Sequence, residues 1–269
     1  MRANPKYLTR PARFWAHAKY ISEQVGYSER ATKSLKTYTP KQAVAALLEL
    51  AVKPDNDLLE DVLAYLNWRT QTLNQHVSKQ FMNRDQAAAE YENLRKRLKS
   101  TRAPSMNKQK GEKRHVAYLS SMVGMIAENV LGPTGFIDDA RRLAILTQDD
   151  NLEEIFSRRF DGAMPGTENP RAVWEVKEYY GTTTFGSRVA DGVYETLLDG
   201  YEIEGIRTRH GREIEHFLFI DDHFTWWDCG RSYLCRMMDM LHTGHVDEIF
   251  FGREILTDWG PRLKKLKEK

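Results

Sequence analysis

Between Phe160 and Tyr180 the chain reads FDGAMPGTENPRAVWEVKEYY, two apolar runs separated by a stretch with two prolines and a glycine. β-Branched and aromatic residues alternate over Ala172–Tyr179, and Phe160–Met164 forms a shorter run, so the segment reads as two strands with Asp161 opening the hairpin. Side chains two residues apart on a strand point the same way. Glu175 and Lys177 therefore project together with Val173, away from the face made by Ala172, Trp174 and Val176. Carboxylates from Asp161 and Glu175 beside an ammonium can hold a divalent metal and steady a water or a phosphate next to it. That is the chemistry of phosphodiester hydrolysis. The bland alternative is a Glu–Lys ion pair that only decorates a strand face.

The flanks place this hairpin in a larger plan. Strands are expected at Phe160–Met164, Ala172–Tyr179, Ile214–Ile220 and Glu248–Phe251, and helices at Ser187–Leu198 and Arg231–Leu241. Short strands alternating with helices predict an α/β core rather than a sandwich. Upstream, Val116, Leu119, Met122, Val123, Ile126 and Val130 give a helical stripe over His115–Leu131, closed by Gly132-Pro133. Further helices are expected at Asp138–Leu146 and, briefly, at Leu152–Phe156. The first hundred residues read as helices alone: one after Thr9, one capped by Thr39 ahead of Pro40, one opened by Asp57, and one from Gln86 to about Lys99. Lys99–Glu112 (KSTRAPSMNKQKGE) lacks apolar periodicity and reads as a linker. The expected organisation is an all-helical domain over 1–105 and a mixed domain over 112–269.

No run approaches the roughly 18 apolar residues needed to cross a bilayer, and the N-terminus has no apolar core of a secretory signal. Two cysteines are too few for a disulfide framework. An intracellular, cytoplasmic protein without membrane contact is the expectation. The net charge of +2 is unremarkable, but the charges cluster. Residues 1–36 hold eight Lys or Arg against two Glu, and residues 91–115 hold nine against two. Such clusters suit a phosphate backbone, whose counterions they release. Arg95, Arg97, Lys99, Lys108 and Lys110 are the candidate contacts, set against a solvated helix end and a flexible linker. The stretch Tyr179–Arg188 (YYGTTTFGSR) could meet a sugar–phosphate backbone, with Arg188 and a helix N-terminus facing a phosphate. Arg207, Arg209, His210 and Arg212 surround Gly211 in an expected hairpin tip.

Two rival sites carry less. Asp221, Asp222, His223 and Asp228 could bind a transition metal, but Phe224, Trp226 and Trp227 favour a capping turn over buried aromatics. Cys229 and Cys235, with His223 and His242, match no common zinc spacing, so both cysteines are expected in the core.

The succession of a helix bearing Glu128, a strand opened by Asp161, a strand bearing Glu175-Val176-Lys177 and a further helix resembles the PD-(D/E)XK nuclease superfamily, type II restriction endonucleases in particular. The resemblance covers about residues 112–255. Phe160 stands where the family often has proline before the acid. What it implies is an α+β, mixed-sheet, restriction-endonuclease-like core, in which Asp161 and Glu175 bind Mg²⁺ and Lys177 orients the attacking water and stabilises the phosphate oxygens. Glu128 would act through metal-bound water. It further implies sequence-specific cleavage of double-stranded DNA by a homodimer, with a cognate methyltransferase as a possible companion. The helical domain would contribute DNA contacts or the dimer interface. The alternatives are a defence nuclease without strict sequence choice, acting on DNA or RNA, and a nucleic-acid-binding protein without catalysis.

Overall fold

The computed structural model describes residues 1–29, 31–107, 111, 114–180 and 186–268. Four helices open the chain: α1 (Pro5–Leu8), α2 (Ala12–Val25), α3 (Pro40–Glu49) and α4 (Asn56–Gln75), and a two-residue ladder of β1 (Ser28–Glu29) and β2 (Ser34–Leu35) departs from the all-helical reading. Their starts follow from capping. Thr39 and Gln42 close a reciprocal capping box ahead of Pro40, and Asp55, two residues before the expected Asp57, accepts from Leu58 N at 3.2 Å. Phe14, Ala18, Ile21, Leu47, Val62, Tyr65 and Leu66 turn inward to make one core.

Next come α5 (Arg84–Leu98) and α6 (Tyr118–Leu131), which pack on each other. α5 lies in the same core as α6 rather than among α1–α4. A five-stranded sheet follows, in the order β3 (Ile137–Asp138), β6 (Gly162–Met164), β7 (Ala172–Glu178), β8 (Glu215–Asp221), β9 (Glu248–Phe251). The first three strands are antiparallel and the last three parallel, so the fold is mixed α/β. Alternation sorts the side chains. Ala172, Trp174, Phe217, Phe219 and Phe250 pack against α5, α6 and α9 (Gly260–Glu268). Leu218, Ile220, Ile249 and Phe251 face α7 (Ser187–His210) and α8 (Arg231–His242).

Residues 138–146 and 152–156, expected as helices, instead carry β4 (Ile145–Gln148) and β5 (Asn151–Ile155), a separate hairpin. Asp149 and Asp150 between them both have positive φ (50° and 63°), the backbone that a two-residue I′ turn demands and that Asp tolerates. Ala144 and Leu146 are buried while Ile145 and Thr147 are less so, a strand alternation. α7 runs twelve residues past the expected end. Gly200 lets it press on His245, whose Cβ would lie 2.5 Å from an added methyl. The expected hairpin tip at 207–212 is the end of this helix, closed by Gly211 at φ 62°. Arg207 turns back to Asp247 and Arg209 to Glu154.

The N-terminal helices dock on α8 and the β9 edge. Arg69 of α4 pairs with Asp239 of α8 at 2.8 Å, Asn4 N donates to His242 Nε2, and the Met1 amino group reaches Ile249 O and Glu254.

Candidate active site

Asp161 precedes β6 directly, and its Oδ2 accepts from Val176 N of β7 at 2.9 Å, just beyond the last β6–β7 ladder pair, Gly162 with Trp174. The glycine is required there: a Cβ at 162 would sit 2.0 Å from the Trp174 ring, which crosses the strand at that point. Glu175 and Lys177 leave β7 on the opposite face from Trp174, as the alternation requires, and both are almost wholly buried.

Lys177 Nζ donates to Glu175 Oε2 at 2.9 Å and to Glu195 Oε2 at 2.8 Å. Gly192 on α7 leaves room for the lysine stem, whose Cδ would be 3.5 Å from an added methyl. The Arg158 guanidinium closes the other side. Its Nη1 lies 2.7 Å from Asp199 Oδ2 and 3.0 Å from Glu175 Oε1, and its Nη2 lies 3.4 Å from Glu195 Oε2. Glu195 and Asp199 are four apart on α7, hence on one helix face. Three carboxylates thus meet two cations, with Asp161 adding its field at Lys177. Glu175 Oε1 and Asp199 Oδ1 are buried without a hydrogen bond, the former touching Arg158 without hydrogen-bond geometry.

The electrostatics follow from this excess of acid. Burial works against the charge on Glu175, but Lys177 and Arg158 outweigh it and hold its carboxyl below the usual range. Burial likewise opposes the charge on Lys177, and Glu175 and Glu195 more than reverse it, so the ammonium stays charged well into alkaline solution. Asp199 goes the other way: burial, only partly opposed by Arg158 and reinforced by the charge on Glu175, pushes it up to about 7. A lysine so held is a fixed positive charge, suited to stabilising a developing anion and unsuited to accepting a proton.

The model of a domain of unknown function, DUF7687, matches residues 82–266. The chain belongs to that family. A second domain of unknown function, DUF7690, matches residues 1–76. No curated protein and no solved structure matches the chain.

Of the residues picked from sequence, Glu175 and Lys177 stand in direct contact and Asp161 beside them. Glu128 does not join them. It is held by Arg102 at 2.7 Å, together with Asp138, on the α6 side of the sheet; a lone acid near a helix C-terminus gave no clue to which face it served. Arg95 bonds Tyr91 and Ser100 O, and Arg97 and Lys99 are exposed at the C-terminal end of α5, where cations also offset the helix dipole. Lys108 and Lys110, and the side chain of Arg188, lie outside the described residues. Arg158, Glu195 and Asp199 went unnoticed. The readable signal was the i, i+4 acid pair on the helix that crosses over β7.

Two of the rival acids bind backbone N–H groups, and the third, Asp228, lies 3.4 Å from His223. Asp221 accepts from Met82 N, Asp222 N and Tyr180 Oη, and Asp222 caps the turn at Thr225. Cys235 is in the core, its thiol pushed up to about 11 by burial, whereas Cys229 is exposed, contrary to expectation, because its turn leaves it outside α8. His242 is used by Asn4 N and Met238 O. Among the described residues no three His, Cys, Asp or Glu converge on one point as a preformed metal cage, and no helix is long and apolar enough to cross a membrane.

Proposed function

We propose that this protein is a Mg²⁺-dependent endonuclease with a PD-(D/E)XK-like core, cleaving DNA phosphodiesters through Asp161, Glu175 and Lys177. The observation that carries the reading is the meeting of an acid at the start of β6 with the buried Glu175–Lys177 pair on the adjacent β7. The order α6–β3–β6–β7–α7–β8, three antiparallel strands followed by a crossover to a parallel one, supports it as well.

The donor set suits the metal. Asp161 and Glu175 offer hard carboxylate oxygens, and Mg²⁺ takes one or two of these while keeping several waters. The buried Glu175 Oε1, which lies 3.0 Å from Arg158 Nη1 without hydrogen-bond geometry, is the atom such a cation would take on displacing the guanidinium. When bound, Mg²⁺ lowers the pKa of a coordinated water and neutralises charge on the phosphate. Lys177, permanently charged and anchored between Glu175 and Glu195, orients the nucleophile and stabilises the phosphate oxygens. Within this reading, sequence-specific cleavage of duplex DNA by a homodimer is the form we favour, since twofold symmetry supplies one active site per strand; a methyltransferase reading the same site would be its companion. A defence nuclease without sequence choice keeps the same residues.

A second reading has its own support. Arg158 already neutralises Glu175, as it would in a nucleic-acid-binding protein whose cluster is purely structural. The test is digestion of plasmid and phage DNA with Mg²⁺, with EDTA, and with Lys177→Ala. Discrete fragments lost with EDTA and with the substitution support the specific nuclease, and a metal-dependent smear supports the non-specific one. Binding without turnover on any DNA or RNA supports the second reading.

A further inference from the structure

Arg158 touches two carboxylates with one nitrogen. Its Nη1 lies 2.7 Å from Asp199 Oδ2 and 3.0 Å from Glu175 Oε1, so oxygens from α7 and β7 converge on a single cationic point. Both acids are almost wholly buried, and each has an oxygen that makes no hydrogen bond, Asp199 Oδ1 and Glu175 Oε1. Carboxylates are buried so deeply when they are paired or bind a metal. The pairing is incomplete here. Glu175, Glu195 and Asp199 meet two single positive charges, Arg158 and Lys177, and one negative charge is left over. A divalent cation in place of the guanidinium would leave none.

The guanidinium can leave without rebuilding the fold. Arg158 also lines a cleft of about 450 Å³, with Asp139, Ala140 and Leu143 on one side and residues 157–161 on the other. The path of its side chain therefore runs from solvent to the two acids. The backbone around it is held: Ser157 N and Oγ donate to Glu202 of α7, and Phe160 is buried with its ring edge-on to Phe156. What has room to move is the side chain. Asp139, an exposed acid on the same cleft, makes no ion pair among the described residues and offers a counter-ion there.

We infer that Arg158 Nη1 marks a divalent-cation site between Glu175 and Asp199, which the arginine fills while no metal is bound and vacates when one is. Two carboxylates suffice for a hard cation that keeps several waters. Asp199 is thus a metal ligand beyond Asp161 and Glu175, and Arg158 sets how much metal the protein needs. The identity of the cation as Mg²⁺ rests on the nuclease reading; the site is tested by metal binding without DNA, so the two can fail separately.

The experiment is calorimetric titration with Mn²⁺, which takes the same oxygen ligands. It compares the wild type, Arg158→Ala, Asp199→Asn, the double variant and Lys177→Ala. A site already filled in most molecules binds more weakly by the fraction left open, so Arg158→Ala should bind Mn²⁺ about tenfold or more tighter than the wild type. Free guanidinium at millimolar concentration should reverse that gain and leave the wild type unaffected. Asp199→Asn should weaken binding in the wild type and abolish the gain in the double variant. Lys177→Ala, which removes the same charge from the other side of Glu175, should gain less than Arg158→Ala. Equal affinities for the wild type and Arg158→Ala, no binding by either, or an equal gain from Lys177→Ala would each overturn the inference. If Arg158→Ala does not fold, the near-isosteric Asp199→Asn decides alone, and wild-type affinity in that variant overturns it. If the site behaves as expected yet no DNA or RNA is cut in Mg²⁺, the nuclease reading falls and the cation site stands. If DNA is cut while Asp199→Asn binds Mn²⁺ as the wild type does, the reverse holds.

Discussion

At the seam between the N-terminal helices and α8, Arg69 holds Asp239 through both carboxylate oxygens at 2.8 and 2.9 Å, while Tyr65 Oη donates to the same carboxylate and Arg69 Nη2 donates to Ser22. On the α7 face of β7, Glu175, Lys177 and Asp199 are as deeply placed, but Arg158 and Glu195 reach the surface and the cluster is differently composed. The first cluster balances one cation with one anion, and Arg69 Nε is its only buried atom without a partner. The second has an acid in excess, two carboxylate oxygens without hydrogen bonds, and a cleft that touches it through Arg158. Both meet the cost of burying charge by pairing. Only the second leaves charge over for something not on the chain. The difference separates an ion pair that fixes how two packed units meet from one whose imbalance fits a catalytic or ligand-binding task.

The largest effect sought from this contrast is on stability. Arg69→Ala should cost about 3–5 kcal/mol, because Asp239 is then left buried and unpaired, read as a lowered urea midpoint, with DNA cleavage per folded molecule unchanged. Next comes Lys177→Ala, which should slow Mg²⁺-dependent cleavage by about 10²–10³-fold, the usual loss for one positioned electrostatic group, while DNA binding in EDTA persists. A cleavage defect in the Arg69 variant, or full activity in the Lys177 variant, would break the division of labour between the two clusters.

What was readable beforehand follows the same line. Periodicity and capping residues are local, so Thr39–Pro40, the Gly132 stop, β9 and the Glu175/Lys177 face could be read from spacing alone. The hairpin at β4–β5 was hidden because Ala140–Leu146 has helix-forming composition and only the Asp149-Asp150 backbone reveals the turn. Asp199-Gly200 looks like a helix end until His245 is seen packed against Gly200. Arg158, Glu195 and Asp199 are 17, 20 and 24 residues from Glu175 in sequence; the α7 crossover brings the two acids to it, and the segment between β5 and β6 brings Arg158.

Gly162→Ala tests whether the second cluster depends on the packing behind it. The added methyl would meet the Trp174 ring at 2.0 Å, and that ring is hemmed in by Phe136 and Trp259, so it cannot step aside. The expected cost is about 1–3 kcal/mol of overpacking, with a loss of cleavage larger than stability explains, since Asp161 is the neighbouring residue. A Gly162→Ala protein as active as the wild type per folded molecule would show that Asp161 needs no such exact seat.

The smallest effect is on pH dependence, and it reports the excess acid directly. Asp199 is pushed up to about 7 in the folded chain, against roughly 3.9 when unfolded. Between those values the folded state holds the proton more tightly than the unfolded state does, so stability falls as pH rises from about 4 through about 7. Asp221, pushed to about 7 by its own burial, adds a slope of the same sign. Asp199→Asn should therefore flatten the decline without abolishing it, as seen in urea midpoints taken across that range. The Arg69→Ala background should leave the slope due to Asp199 intact, because the two clusters share no residue. An Asp199→Asn protein with the wild-type slope would mean that the carboxyl is ionised in the folded chain and that the cluster carries its third negative charge without a proton.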